Sequence, residues 1–201
     1  FDYNIANNTP PTPGNFLYIM TGKLFQRVWP EPHDAMVMVS VMYSGLLTGL
    51  LFLLGRALFG MAAGMMSALL FLTSPVFWYK GITIYGYLNS GFFLLLTAYF
   101  CYRVMQGERR FIFWAALSYA AFVGVRPQEF PMLLPLFLFT LIFVSRWDGI
   151  KSLGIFGMGC LAWLIPLVWM AGGIEAYWGV LREGSTYYST NSIFGGSPLS
   201  Q

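Results

Sequence analysis

The chain has 201 residues, of which 57% are hydrophobic, 19% aromatic and only 9% charged, with a mean hydropathy of +0.63. A water-facing globular surface normally draws on about 25% charged residues, so this composition excludes a soluble domain and points to an integral membrane protein. The formal charge of +3 is small and scattered, which excludes the basic footprint of a nucleic-acid-binding protein.

Residues 1–34 read as an extracytoplasmic strap followed by a helix lying on the membrane. The strap is "NNTPPTPGN", with Pro10, Pro11 and Pro13. After it Phe16, Met20, Leu24 and Val28 recur every fourth residue, with Lys23 and Arg27 on an adjacent strip. That pattern predicts an interfacial amphipathic helix, apolar side down. Pro30 and Pro32 end it, and Asp34 is placed to cap the next helix. The chain opens on Phe1, shows no signal peptide, and stops in the polar "IFGGSPLSQ", so a piece of a longer protein is expected.

Residues 35–171 read as a transmembrane bundle of about six helices. A span needs roughly 20 mostly apolar residues. The candidates are 35–54, 61–79, 85–104, 111–125, 130–144 and 153–171. The fourth and fifth are short and flank "RPQEF". Helices rather than a barrel are predicted, because the runs lack period-two alternation. "GMAAG" at Gly60–Gly64 has the small-xxx-small spacing of a helix contact. Cys101 and Cys160 lie inside apolar runs with no CxxC or histidine neighbour, as expected of small buried hydrophobes. Residues 172–201 read as an extracytoplasmic loop. In it Ile174, Tyr177, Trp178 and Leu181 form a second interfacial helix face between Gly172–Gly173 and Gly184.

Orientation follows from the loops. One alternate set holds Arg56, Arg103, Arg109, Arg110, Arg146 and Lys151, with Glu108 and Asp148 as its acids. The other holds Lys23, Arg27, Lys80, Arg126 and Arg182, against Asp2, Glu31, Asp34, Glu129, Glu175 and Glu183. Six Lys and Arg against five give a thin margin that places the first set in the cytoplasm. The polar ends and the loops around Lys80 and Arg126 then share the outer face.

Three readings stay open for Arg126. A cation at bilayer depth costs at least ~2.5 kcal/mol unless it is relieved. It can snorkel to the boundary, pair with Glu129, or grip a phosphate with its planar fork. Lys80 is a headgroup anchor or a second phosphate contact. Tyr85, Tyr87 and Asn89 can hydrogen-bond a sugar, although an aromatic belt also explains the tyrosines. The outer carboxylates are the available general bases, and none has a spacing that marks it. His33 stands between Pro32 and Asp34 with no second ligand nearby. There is no P-loop, Rossmann fingerprint, HExxH or GxSxG.

The motifs go further than composition. "FDYNIANNTPPTPGNFLYIMTGKLFQRV", "DAMVMVSVMYSGLLTGLLFLLGRALFG", "TSPVFWYKGITIYGYLNSGFF" and "GVRPQEFPMLLPLFL", in that order, resemble the GT-C superfamily of membrane glycosyltransferases. The likeness is greatest to bacterial members related to the protein O-mannosyltransferases. In such proteins a His-Pro-rich strap follows the first outer loop. Here "TPPTPGNFLY" keeps Pro10, Pro13, Gly14, Leu17 and Tyr18, while Asn8 and Pro11 replace the histidines and Asn15 a common tyrosine.

The resemblance implies an all-α, GT-C-like fold in the bacterial inner membrane. It implies inverting transfer of a hexose of mannosyl type from a polyprenyl-phosphate donor. The acceptor is a glycan, lipid or protein on the extracytoplasmic face. An Asp of the first outer loop serves as base in such proteins. By position it falls upstream of Phe1, which leaves Asp2 as the nearest candidate and the fragment itself expected to be inactive. Lys80 and Arg126 become phosphate contacts, with Tyr85, Tyr87, Asn89 and Asn8 as further substrate contacts. No cofactor is certain, and the sequence does not decide whether a divalent metal assists. A transporter or flippase for a lipid-linked solute would call for midplane charges and internal repeats, which the runs lack. A non-catalytic scaffold would leave the strap without a task.

Overall fold

The computed structural model describes residues 15–82, 86–179 and 181–182. The strap, Asp2, Asn8, Tyr85, Glu183, Gly184 and the tail beyond lie outside the described residues. Within them the chain is helical with no strand: α1 (Phe16–Phe25), α2 (Pro32–Phe59), α3 (Met61–Leu72), α4 (Pro75–Ile82), α5 (Tyr87–Met105), α6 (Phe111–Val125), α7 (Phe130–Thr140) and α8 (Arg146–Met170). Short 3-10 turns at Pro127–Glu129 and Leu141–Phe143 flank α7.

Two helices, α2 and α8, are each long and apolar enough to cross a bilayer, and α3 with α4 forms a third such unit broken by a 61° bend. The bend interrupts the continuous 61–79 segment predicted above. Its cause is local. The residue before a proline is pushed out of the helical region, and Pro75 starts a new helix at the position where its missing N–H costs nothing. α6 and α7 are shorter apolar helices.

Three other boundaries differ from expectation for equally local reasons. α2 begins at Pro32 with Glu31 as its cap residue, so Asp34 sits inside the first turn instead of capping it. α8 begins seven residues early, at Arg146. There the Ser145 hydroxyl accepts from the Asp148 amide at 3.1 Å and donates to the Asp148 carboxylate at 2.8 Å, a Ser-x-x-acid cap. In α1 the face packed on the protein is Phe16, Tyr18, Ile19 and Gly22. Leu24 and Val28, half of the expected face, are 56% and 70% exposed, and the helix stops at Phe25 before Val28. Near the other end a short helix at 174–179 leaves Ile174 and Trp178 exposed while Tyr177 packs partly on the core.

Side-chain contacts fix the helix directions. α2 and α5 run parallel, with Tyr43 against Phe92 and the Tyr102 hydroxyl donating to the Ala57 carbonyl at 2.8 Å. α6 runs antiparallel to α5, with Thr97 and Ser118 hydroxyls 2.9 Å apart and Phe100 stacked on Phe111. α8 runs parallel to α6, with Trp163 Nε1 donating to the Ala120 carbonyl at 3.2 Å. One end of the bundle therefore collects the start of α2, the end of α4, the start of α5, the end of α6 and the start of α7.

Lipid tails are as apolar as leucine, so helices in a bilayer associate through close packing and hydrogen bonds rather than burial from water. α6 is the centre of that packing. Ala115, Ala116, Ala120 and Gly124 are buried on it, and a Cβ on Gly124 would stand 2.6 Å from Leu17 and 2.8 Å from Trp163. The α2–α3 hairpin meets the same way: a Cβ on Gly64 would lie 2.7 Å from the Phe52 carbonyl oxygen. Gly60, with φ +93°, makes the turn between the helices, so the two glycines of "GMAAG" have different jobs. The outward faces are apolar, for instance Met65, Met66, Leu69 and Leu70 on α3 and Met158, Leu161 and Ile165 on α8.

Candidate functional site

The site grows out of "VRPQEF". Pro127 forces Arg126 into an extended conformation, with φ −143° and ψ 86°. That ends α6, and the 3-10 turn that follows closes with the Glu129 amide donating to the Arg126 carbonyl at 3.0 Å. The turn folds Glu129 back under Arg126, and the two side chains form an i,i+3 ion pair between Arg126 Nη1 and Glu129 Oε1. Both are about four-fifths buried. The pairing is the relief that a largely buried cation needs.

Three further residues surround the pair. The Ser90 hydroxyl, from the first turn of α5, donates to the second carboxylate oxygen of Glu129. The Gln128 amide, assigned so that its oxygen faces the guanidinium, accepts from Nε at 3.2 Å and from Nη2 at 3.3 Å. The Arg126 guanidinium lies 4.3 Å from the centroid of the Tyr87 ring. Lys80, at the end of α4, lies 4.1 Å from the same centroid. One aromatic ring thus carries two cations, each in range of its electron-rich face.

Asn89, in the same first turn of α5 as Ser90, is 1% exposed, yet neither its amide oxygen nor its amide nitrogen has a hydrogen-bond partner. An unsatisfied buried polar group costs about 1–3 kcal/mol. The neighbouring Gly86 faces α6 and α1: a Cβ there would meet Val125 at 3.4 Å and Tyr18 at 3.6 Å. The Tyr18 hydroxyl is sealed in next to Ser40 without a well-formed hydrogen bond. Asn15, which enters α1 with φ +39°, has an unpartnered amide oxygen.

Of the residues singled out from the sequence, Lys80, Tyr87 and Arg126 therefore meet at one end of the bundle, and Asn89 lies in the first turn of α5 at the same end. Asp2, Asn8 and Tyr85 fall outside the described residues. Ser90 and Gln128 were not singled out. The i,i+3 reach of a turn could have found Gln128 and Glu129 together, whereas Ser90 meets Glu129 across 39 residues.

Elsewhere, His33 makes an exposed 3.5 Å contact with Asp34. Among the described residues no three His, Cys, Asp or Glu side chains group together as a metal site would require. The opposite end of the bundle holds a different ionic cluster: Arg103 donates to Glu108 and to the Tyr99 hydroxyl, each at 2.7 Å, and lies 4.8 Å from the Phe111 ring centroid. Those hydrogen bonds hold the Glu108 carboxyl below the usual carboxylate range.

The sequence profile of the dolichyl-phosphate-mannose-protein mannosyltransferase family matches residues 12–170. No curated protein and no solved structure matches the chain.

Proposed function

Because the chain belongs to the dolichyl-phosphate-mannose-protein mannosyltransferase family, and so is a membrane glycosyltransferase of the mannosyltransferase type, we propose that it takes a sugar from a polyprenyl-phosphate carrier. The acceptor hydroxyl stands on the extracytoplasmic face of a bacterial inner membrane. The observation that carries this reading is the pair of cations, Lys80 and Arg126, on the single Tyr87 ring.

A sugar phosphodiester carries one negative charge, which a guanidinium fork and an ammonium can both bind. In the transfer, a bond forms from the acceptor oxygen to the anomeric carbon while the bond from that carbon to the phosphate oxygen breaks. The acceptor proton goes to a carboxylate base. The carrier leaves as a phosphate monoester, with more charge than it brought. Cations already fixed at that phosphate stabilise the developing charge more than the ground state, which is the condition for catalysis. In an inverting transfer the acceptor attacks the face opposite the phosphate.

Asn89 and Tyr87 remain candidate contacts to the sugar. Asp2 remains the candidate base, with Asn8 and Tyr85 as further substrate contacts.

The test is transfer from radiolabelled polyprenyl-phosphate sugars by the full-length protein in membranes. Arg126→Ala is expected to abolish transfer at normal abundance and insertion. Full transfer by that variant would overturn the reading.

A further inference from the structure

We propose that Glu129, tethered by Ser90, is a positioning residue that aims the Arg126 fork, and that Gln128 is a placeholder on the edge of the fork that the ligand takes. The inference rests on the reading of Arg126 as a phosphate contact.

A guanidinium presents five N–H donors in its plane and none on its faces. Here Tyr87 lies on a face, Glu129 holds one donor of Nη1, and Gln128 spans Nε and Nη2. An anion can take the Nε–Nη2 edge in the bidentate way that guanidinium favours only by displacing Gln128.

The two are not equally held. Glu129 is charged, four-fifths buried, and fixed at its other oxygen by Ser90. Gln128 is neutral and exposed, and its two contacts are long, at 3.2 and 3.3 Å. Removing the carboxylate would leave a buried charge unpaired, whereas an exposed amide exchanges its contacts for water at a smaller cost, no more than the worth of one neutral hydrogen bond. The Nε–Nη2 edge is therefore where the anion enters, and Gln128 swings aside. Glu129 stays, and its bond to Ser90 locks the start of α5 to the turn that carries Arg126. The same lock fixes Arg126 relative to Tyr87, which sits three residues before Ser90 on α5.

Kinetics of the full-length protein with tritiated polyprenyl-phosphate mannose test this. Gln128→Ala is expected to lower the donor KM about fivefold, the worth of one neutral contact, and to make unlabelled polyprenyl phosphate a correspondingly stronger inhibitor. Ser90→Ala is expected to lower kcat/KM for the donor about fivefold, with kcat falling as well as KM rising, and Ser90→Thr to restore it. A Gln128→Ala KM that rises or stays level would overturn the placeholder. A Ser90→Ala variant of lowered abundance but parental kcat and KM would overturn the positioning role and leave Ser90 structural. If Arg126→Ala abolishes transfer while these variants behave as parent, only this inference fails. If Arg126→Ala transfers normally, the phosphate reading fails with it.

Discussion

A missing side chain decides how closely two helices can approach. At Gly64 a methyl group would meet backbone, the Phe52 carbonyl oxygen at 2.7 Å and the Arg56 nitrogen at 2.9 Å, and backbone cannot turn away as a side-chain tip can. Gly64→Ala is expected to lower stability by about 1–3 kcal/mol through overpacking. At Gly154 a Cβ meets nothing within 4 Å, so Gly154→Ala is expected to be neutral or to stabilise by up to about 1 kcal/mol through lower chain entropy. Thermal unfolding of both variants in one detergent checks the opposite signs. Residue-scale chemistry was only partly legible in advance. Arg126 stands out in sequence because a cation amid apolar runs is costly, and Glu129 is within one turn of it. Ser90 and Gln128 do not stand out, because a hydroxyl or an amide has no such cost until its partner is known. Asn89 was legible as polar, but not as a buried amide without partners.

Elements are joined here by isolated polar bonds across apolar seams. Thr97 and Ser118 form one between α5 and α6, and both are buried. Thr97→Val is expected to cost about 0.6 kcal/mol, a usual value for a hydrogen bond between helices in a membrane, read as a lower unfolding midpoint in detergent. Between the same helices, on the connecting loop, Glu108 is held below its usual carboxylate range, chiefly by hydrogen bonds from Arg103. A depressed carboxylate stabilises above its unfolded pKa, and the contribution is lost as pH falls through the folded value. Hydrogen exchange of residues 106–110 is therefore expected to be slower in the parent than in Glu108→Gln at neutral pH. The difference should close as pH drops below about 4. The apolar segments were visible from composition, since each predicted run is helical. Their ends were set by features that runs do not show: Pro75 breaking the second segment, Ser145 and Asp148 starting the last early, Pro32 displacing the expected cap.

The molecule as a whole has two chemically distinct ends. Alternating helix directions gather Lys80, Tyr87, Arg126 and Glu129 at one, and Arg103 and Glu108 at the other. With both native cysteines replaced, single cysteines at Trp78, which is 64% exposed, and at Gln106 are expected to label from opposite sides of a sealed membrane vesicle. Trp78 should react from the extracytoplasmic side. The reverse pattern would put the cations in the cytoplasm. The 61° break between α3 and α4 carries a further consequence. α4 departs from the line of α3 and bears Lys80 at its far end, while Val76, Trp78 and Tyr79 project from it unburied. A thicker or thinner lipid phase would tilt such a bent arm, as hydrophobic mismatch tilts any span, and would carry the lysine with it. Turnover in vesicles of graded acyl length should accordingly pass through an optimum, with the sheet of lipid acting as a ruler for the distance between the lysine and its shared ring.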